Sequence, residues 1–404
     1  MNRKKGWGQV SFVDKIISHF NILDAHVRLC LLRIAQENLA MKFLPITCPF
    51  FILFLWFNAA CSPVVHAGNA SSEGAPLIAP IQTDGTYENW IPTEMIVEGG
   101  MASELWKWII GGERQKPGGE IPVVLLDKDS LNGKPADGLT VRWLGHSSVL
   151  IEISGRRVLI DPVFSRYASP VPGFVKRFSK APISADELKG LDAVVISHDH
   201  YDHLDKDAIK SLARSGVPFF VPTGVAAYLQ DWGVPAGQIR ELTWWEESTL
   251  GTLTFICVPA RHFSGRGLFT RNDTLWAGWI VQSETRKLYF SGDTGYAEHF
   301  KAIGDTYGPF DLTLIKIGAY SDKWPYIHVK PEEAVKAHTD VKGKVFLPVH
   351  WGTFTLALHA WDEPIIRAVK AAKQNGVRIV TPIIGELVDI DKPITNRNWW
   401  EEVK

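Results

Sequence analysis

The segment His198-Asp199-His200-Tyr201-Asp202-His203 gathers three histidines and two aspartates into six positions, directly after the apolar run DAVVIS and just before Asp205, where the pattern opens a helix. In extended backbone, residues two apart point the same way. His198 and His200 can therefore clasp one ion while Asp202 and His203 turn toward a neighbouring one. A solvated polar loop gives no reason for so dense a set of ligand-type side chains at a strand end.

Four residues cannot complete two metal shells, so other strand ends must supply donors. His262 follows the run LTFICVPA, Asp293 follows KLYFSG and His350 follows KVFLPV. In an α/β sheet such positions cluster at one rim. Thiolates are not available: the four cysteines stand at 30, 48, 61 and 257, three of them in the first 61 residues, which excludes a disulfide framework and a thiolate zinc cluster. Cys257 sits inside an apolar run and reads as a buried, inert thiol.

From about residue 139 short apolar runs follow one another, first TVRWLG, VLIEI and RVLIDP around the turn Ser154-Gly155, then strands alternating with helices as far as VRIVTP. About a dozen strands with helices mostly in the second part give one large α/β body over 99–404. The chain is 46% hydrophobic and carries 43 Lys+Arg against 44 Asp+Glu, which excludes a disordered chain and a nucleic-acid binder relying on overall basic charge.

Upstream, Met41 opens a short basic start and an apolar stretch ending in small residues, so 41–67 reads as an export signal, cleaved after Ala67 or processed as a lipoprotein at Cys61. Residues 1–40 are then either an upstream mis-start or an amphipathic helix carrying Ile16, Phe20, Leu23, Val27, Leu31 and Ile34. Residues 68–98, rich in Gly, Pro, Ser and Ala, read as a linker. The expected location is exported, periplasmic or envelope-associated.

HDHYDH, His262, SGDTGY and PVHWGTF, together with Trp143-Leu144-Gly145-His146, Asp161-Pro162, and His328-Val329 before Pro331-Glu332-Glu333-Ala334-Val335, resemble the metallo-β-lactamase-fold hydrolases, and within them the branch of N-acyl-phosphatidylethanolamine phospholipase D. The resemblance covers about 139–360. It implies a four-layer αβ/βα sandwich with a two-zinc site: His198, His200 and His262 on one zinc, Asp202, His203 and His350 on the other, and Asp293 bridging both. The thiol-free donors also fit manganese or iron. Upstream of 139 no motif matches, and in the phospholipase that region contributes to the membrane-facing entrance.

Two cations sharing Asp293 would lower the pKa of a shared water from about 15.7 to near 7, giving a metal-bound hydroxide as nucleophile. His328 is the candidate for protonating the leaving oxygen or contacting phosphate; its alternative is a helix-capping or surface histidine. His146 and Asp161 are read as supports that hold a ligand histidine in its tautomer. The leading expectation is a phosphodiesterase of phospholipase D type acting on a phospholipid or another small diester, with peripheral membrane contact and no nucleic-acid partner. A lactone or small-ester hydrolase on the same fold is the alternative, and a non-catalytic metal-binding envelope protein comes last. A phospholipase needs apolar walls, for which Trp244, Trp245, Trp276, Trp279 and Trp324 are candidates, against the reading of strand tryptophans as core.

Overall fold

Three strands, β1 (Leu139–Gly145), β2 (Ser148–Ile153) and β3 (Arg156–Ile160), form an antiparallel meander. Ser154 and Gly155 both take positive φ, 49° and 74°, as a two-residue turn that follows the strand twist requires. The sheet continues in parallel through β4 (Ala193–Val195), β5 (Phe219–Pro222) and β6 (Ile239–Leu242). The crossovers carry α1 (Lys206–Ala213) and α2 (Val225–Asp231). The last strand, β13 (Leu387–Asp389), returns to pair antiparallel with β1, completing seven strands in the order β13-β1-β2-β3-β4-β5-β6.

A second sheet is built from β7 (Glu247–Leu250), β8 (Leu253–Val258), β9 (Gly278–Gln282), β10 (Lys287–Phe290), β11 (Leu312–Lys316) and β12 (Phe346–Val349), in the order β12-β11-β10-β9-β8-β7. Its helices are α3 (His299–Tyr307), α4 (Pro331–Asp340) and α5 (Glu363–Gln374). This computed structural model describes residues 84–97, 114–171, 173–267 and 270–403, all within one unit, Val64–Lys404. The expectations for 1–40, for the export signal at 41–67 with Cys61, and for the start of the linker lie outside the described residues. From Asp84 onward the expected linker is packed: Tyr87 is buried and its N–H donates to Asn272 O at 2.8 Å.

Side-chain alternation assigns the layers. Leu159, Val194, Phe219 and Val221 face outward and share a core with Ile209 and Leu212 of α1 and Val225 and Leu229 of α2. Val158, Ile160, Val195 and Phe220 face inward and join the core of the second sheet. There Phe220 stacks on Phe255 with ring centroids 3.9 Å apart. Ala334 and Val335 of α4 and Ile365 and Ala368 of α5 extend that core, so the order is helices, sheet, sheet, helices, the four-layer αβ/βα arrangement expected.

Three strand assignments differ from the sequence pattern, the first being β13, which lies beyond VRIVTP, the last run that the pattern marks. The run Val377–Pro382 makes only an isolated bridge, Phe346 with Ile379. The amide of Asn396 takes up Ile379 O at 2.6 Å and Thr381 N–H at 3.0 Å, and Pro382 has no N–H to give a ladder. Conversely β7 has no apolar alternation, because it is an exposed edge.

Away from the strand ends, burial pushes the His338 imidazole down to about 4, and burial followed by the charge of Arg261 pushes His299 down to about 3. Both rings are neutral in the folded chain, whereas unfolded histidines take up protons below about 6.5. Stability is therefore complete above about pH 6.5 and falls as the pH drops toward 4. By pH 5 the loss should reach about 2 kcal/mol per histidine, seen as a drop in Tm. His338→Gln should make that drop smaller; an unchanged difference between pH 7 and pH 5 would exclude His338 as a source.

Candidate metal centre

The strand ends converge. His198, His200, Asp202 and His203 follow β4, His262 follows β8, Asp293 follows β10, His350 follows β12, and His328 stands three residues before α4. His146 occupies the turn from β1 to β2, and Asp161 directly follows β3. His146, Asp161 and His350 are all left-handed, at φ 52°, 40° and 65°. Such backbone is costly outside glycine and persists where surroundings over-determine it. Here the His350 N–H donates to His146 O at 2.8 Å, tying one sheet's rim to the other's.

The donors form four overlapping groups in which ligand atoms lie within 4.8 Å of one another: His198, His200 and His262; His198, His203 and Asp293; His146, Asp202, His203 and His350; and His262, Asp293 and His328. Asp293 is central. Its Oδ2 lies 3.0 Å from His350 Nε2, 3.4 Å from His328 Nε2, 3.5 Å from His203 Nε2 and 3.9 Å from His262 Nε2. Asp202 Oδ2 lies 2.9 Å from His146 Nε2 and 3.3 Å from His350 Nε2.

The far side of several rings is already occupied, which fixes tautomers. His203 Nδ1 donates to Asp161 Oδ2 at 2.7 Å, and His262 Nδ1 donates to Ile327 O at 3.0 Å. Ser197 Oγ links Asp161 Oδ2, at 2.6 Å, to His198 Nδ1, at 2.9 Å. The Nε2 atoms of His203 and His262 thereby face the interior. Asp161 thus supports a ligand-type histidine, whereas His146 braces a carboxylate, Asp202.

Burial holds the imidazoles of His198, His262 and His328 well below the usual histidine range, so they are neutral. Against the cost of burial, His350 and His203 hold the Asp293 carboxyl well below the usual range. His203 Nε2, His350 Nε2 and Asp293 Oδ1 are buried and make no hydrogen bond. Unpaired buried polar atoms are expensive unless a partner answers them. Against its own burial, His203 is held well above the usual histidine range by Asp293 and Asp202, so it carries the proton whose place a cation would take. A set of imidazoles and carboxylates with no thiolate fits divalent metal.

Residues 156–351 match the family described as the beta-lactamase superfamily domain. An uncharacterized protein of Mycobacterium tuberculosis is 44% identical over 330 residues, 80% of this chain and 87% of its own. The N-acyl-phosphatidylethanolamine-hydrolyzing phospholipase D 1 of Caenorhabditis elegans is 38% identical over 254 residues, 58% of this chain and 69% of its own. This chain belongs to the metallo-β-lactamase-fold family. Among solved structures, a "possible metal-dependent hydrolase" from Veillonella parvula shares the metallo-β-lactamase fold with a TM-score of 0.51 at 19% identity, over 63% of this chain and 99% of that one. The protein is a metal-dependent hydrolase of that superfamily, with a His/Asp cluster able to bind metal.

Some participants carry no motif. Lys316 ends β11 fully buried; its Nζ donates to Gly318 O at 2.9 Å, and burial pushes it down to about 8 against the pull of Asp293 and Asp202. The available signal was a lysine interrupting the apolar run LTLIKIG, since lysine is seldom buried without a purpose. Thr353 Oγ1 accepts the His146 N–H at 2.8 Å. The tryptophans weighed as entrance walls stand elsewhere: Trp244, Trp276 and Trp279 are core, while Trp245 and Trp324 are half-buried.

Proposed function

We propose that the protein is a phosphodiesterase of the phospholipase D type, acting on N-acyl-phosphatidylethanolamine-like phospholipids with two divalent ions, zinc first among them. The observation that carries the reading is a groove of about 800 Å³ to which Tyr201 of the histidine motif contributes, with Tyr228, Trp232 and Pro170, the cations Arg166 and Lys206 and the carboxylates Asp205 and Asp207. Aromatic walls suit acyl chains, and cations at their margin suit a phosphate. A lactone or small ester would share the centre but use none of this groove. The similarity to the Caenorhabditis elegans phospholipase supports the same substrate class.

In this reading His198, His200 and His262 would hold one ion and Asp202, His203 and His350 the other, with Asp293 as a shared donor. Bound there, the ions supply Lewis acidity toward a phosphoryl oxygen and lower the pKa of water. Asp161 and Ser197 keep His203 and His198 turned inward. His328, neutral and with Nε2 at the centre, collects the proton that the attacking water loses and returns it to the leaving alkoxide.

Zinc-loaded protein assayed against a phospholipid panel and a lactone panel should release phosphatidate and N-acylethanolamine from the N-acylated phospholipid. Turnover of lactones with every diester inert would overturn the proposal.

A further inference from the structure

The loop bearing His262 leaves β8 at Val258 and has no strand neighbour for its own peptide groups. Buried peptide groups need partners from elsewhere. For His262 itself they come from 173 positions upstream: Asn89 Nδ2 donates to His262 O at 2.8 Å, and Asn89 Oδ1 accepts the His262 N–H at 3.1 Å. One carboxamide thus pairs both peptide groups of a single residue, as a neighbouring strand would. The same Oδ1 accepts Trp276 Nε1 at 3.2 Å, which fixes the amide's orientation.

The segment around Asn89 is fastened on both sides. Tyr87 N–H donates to Asn272 O, and the ring of Trp90 meets that of Trp244 edge-on, centroids 5.6 Å apart. Arg261, next to His262, donates through Nε to Thr93 Oγ1 at 2.9 Å and through a terminal nitrogen to Pro92 O at 3.1 Å. The His262 ring is held separately by Ile327 O. Backbone and ring are therefore anchored by different elements: Asn89 pairs the peptide groups of His262 itself, while Arg261 before it is held by the Gly295 N–H at 2.8 Å and by Thr294 Oγ1 at 2.9 Å.

We infer that Asn89 is a positioning residue for the metal centre, holding the His262 loop where its Nε2 meets His198, His200 and Asp293. The inference rests on the proposed role of His262 as a ligand. Loss of the clamp should weaken the ion held by His198, His200 and His262 and spare the one held by Asp202, His203 and His350. Supporting residues of this kind are worth about 10–100-fold in metal affinity.

Full-length Asn89→Ala and Asn89→Asp are titrated with zinc alone against a chromophoric chelator, beside Thr93→Ala and His262→Ala. Asn89→Asp keeps the acceptor and loses the donor, so it tests the clamp with little change in shape. In both Asn89 variants one zinc equivalent should weaken by about 10–100-fold, the other should stay at the parent affinity, and Tm should remain near the parent's; Thr93→Ala should hold both. Parent affinity for both equivalents in both Asn89 variants overturns the inference. So does equal weakening of both equivalents, or the same loss in Thr93→Ala, either of which reduces Asn89 to general packing. Retention of both equivalents by His262→Ala fails the ligand assignment itself, a result separate from any of these.

Discussion

Asp293→Asn should keep its fold while zinc content drops from about two equivalents to one or fewer and turnover falls by more than about 100-fold, beyond the usual cost of losing a residue that merely supports a ligand. Among the described residues, Asp293 is the carboxylate within 4 Å of His203, His262, His328 and His350 together. Asparagine is nearly isosteric but lacks the charge, and its NH2 would donate to the ring lone pairs that a cation would otherwise take. Metal analysis beside the rate decides the matter. A near-parent rate would reduce Asp293 to a turn residue after β10, and a single equivalent in the carefully loaded parent would end the two-ion reading.

His328→Ala should leave zinc content unchanged and slow diesters with poor leaving groups by about 10²–10⁴-fold, the range of general acid–base work. An activated leaving group such as nitrophenolate departs without a proton, so such substrates should be spared. His328 Nε2 sits 3.4 Å from Asp293 and only its edge is exposed, so the ring reaches the reacting centre from one direction. Equal slowing of both substrate types would make it a binding contact. Loss of zinc would make it a ligand, consistent with its grouping with His262 and Asp293.

The ligand-type residues were legible because chemistry and periodicity coincide at them. Each of His198, His262, Asp293 and His350 ends an apolar run, and a run that ends in a donor marks both a strand and its rim. The α/β body followed from alternation of strands and helices, whereas the four layers came from the family resemblance. What stayed hidden depends on distance along the chain. Asn89 lies in a stretch with no period, and its only distinction, a clamp on a residue 173 positions away, exists only once the chain is folded. Trp244, Trp276 and Trp279 were ambiguous for the opposite reason: a strand tryptophan fits a wall as well as a core until the second sheet is in place. The run Val377–Pro382 is apolar like a strand, but after its bridge to Phe346 its next peptide groups, Ile379 O and Thr381 N–H, go to Asn396.

The two sheets come from successive stretches of chain, 139–242 and 247–349, with only β13 returning to the first. His198, His200, Asp202 and His203 belong to the first stretch, and His262, Asp293 and His350 to the second. Three of the four donor groups draw on both stretches, and only His262, Asp293 and His328 come from the second alone. In the proposed reading both halves must close on each other before either ion has its full set of ligands. An ion bound there acts as a rivet across the sandwich, stabilising the closed pair by its binding free energy. Chelation should accordingly loosen the joint between the sheets before it disturbs either sheet.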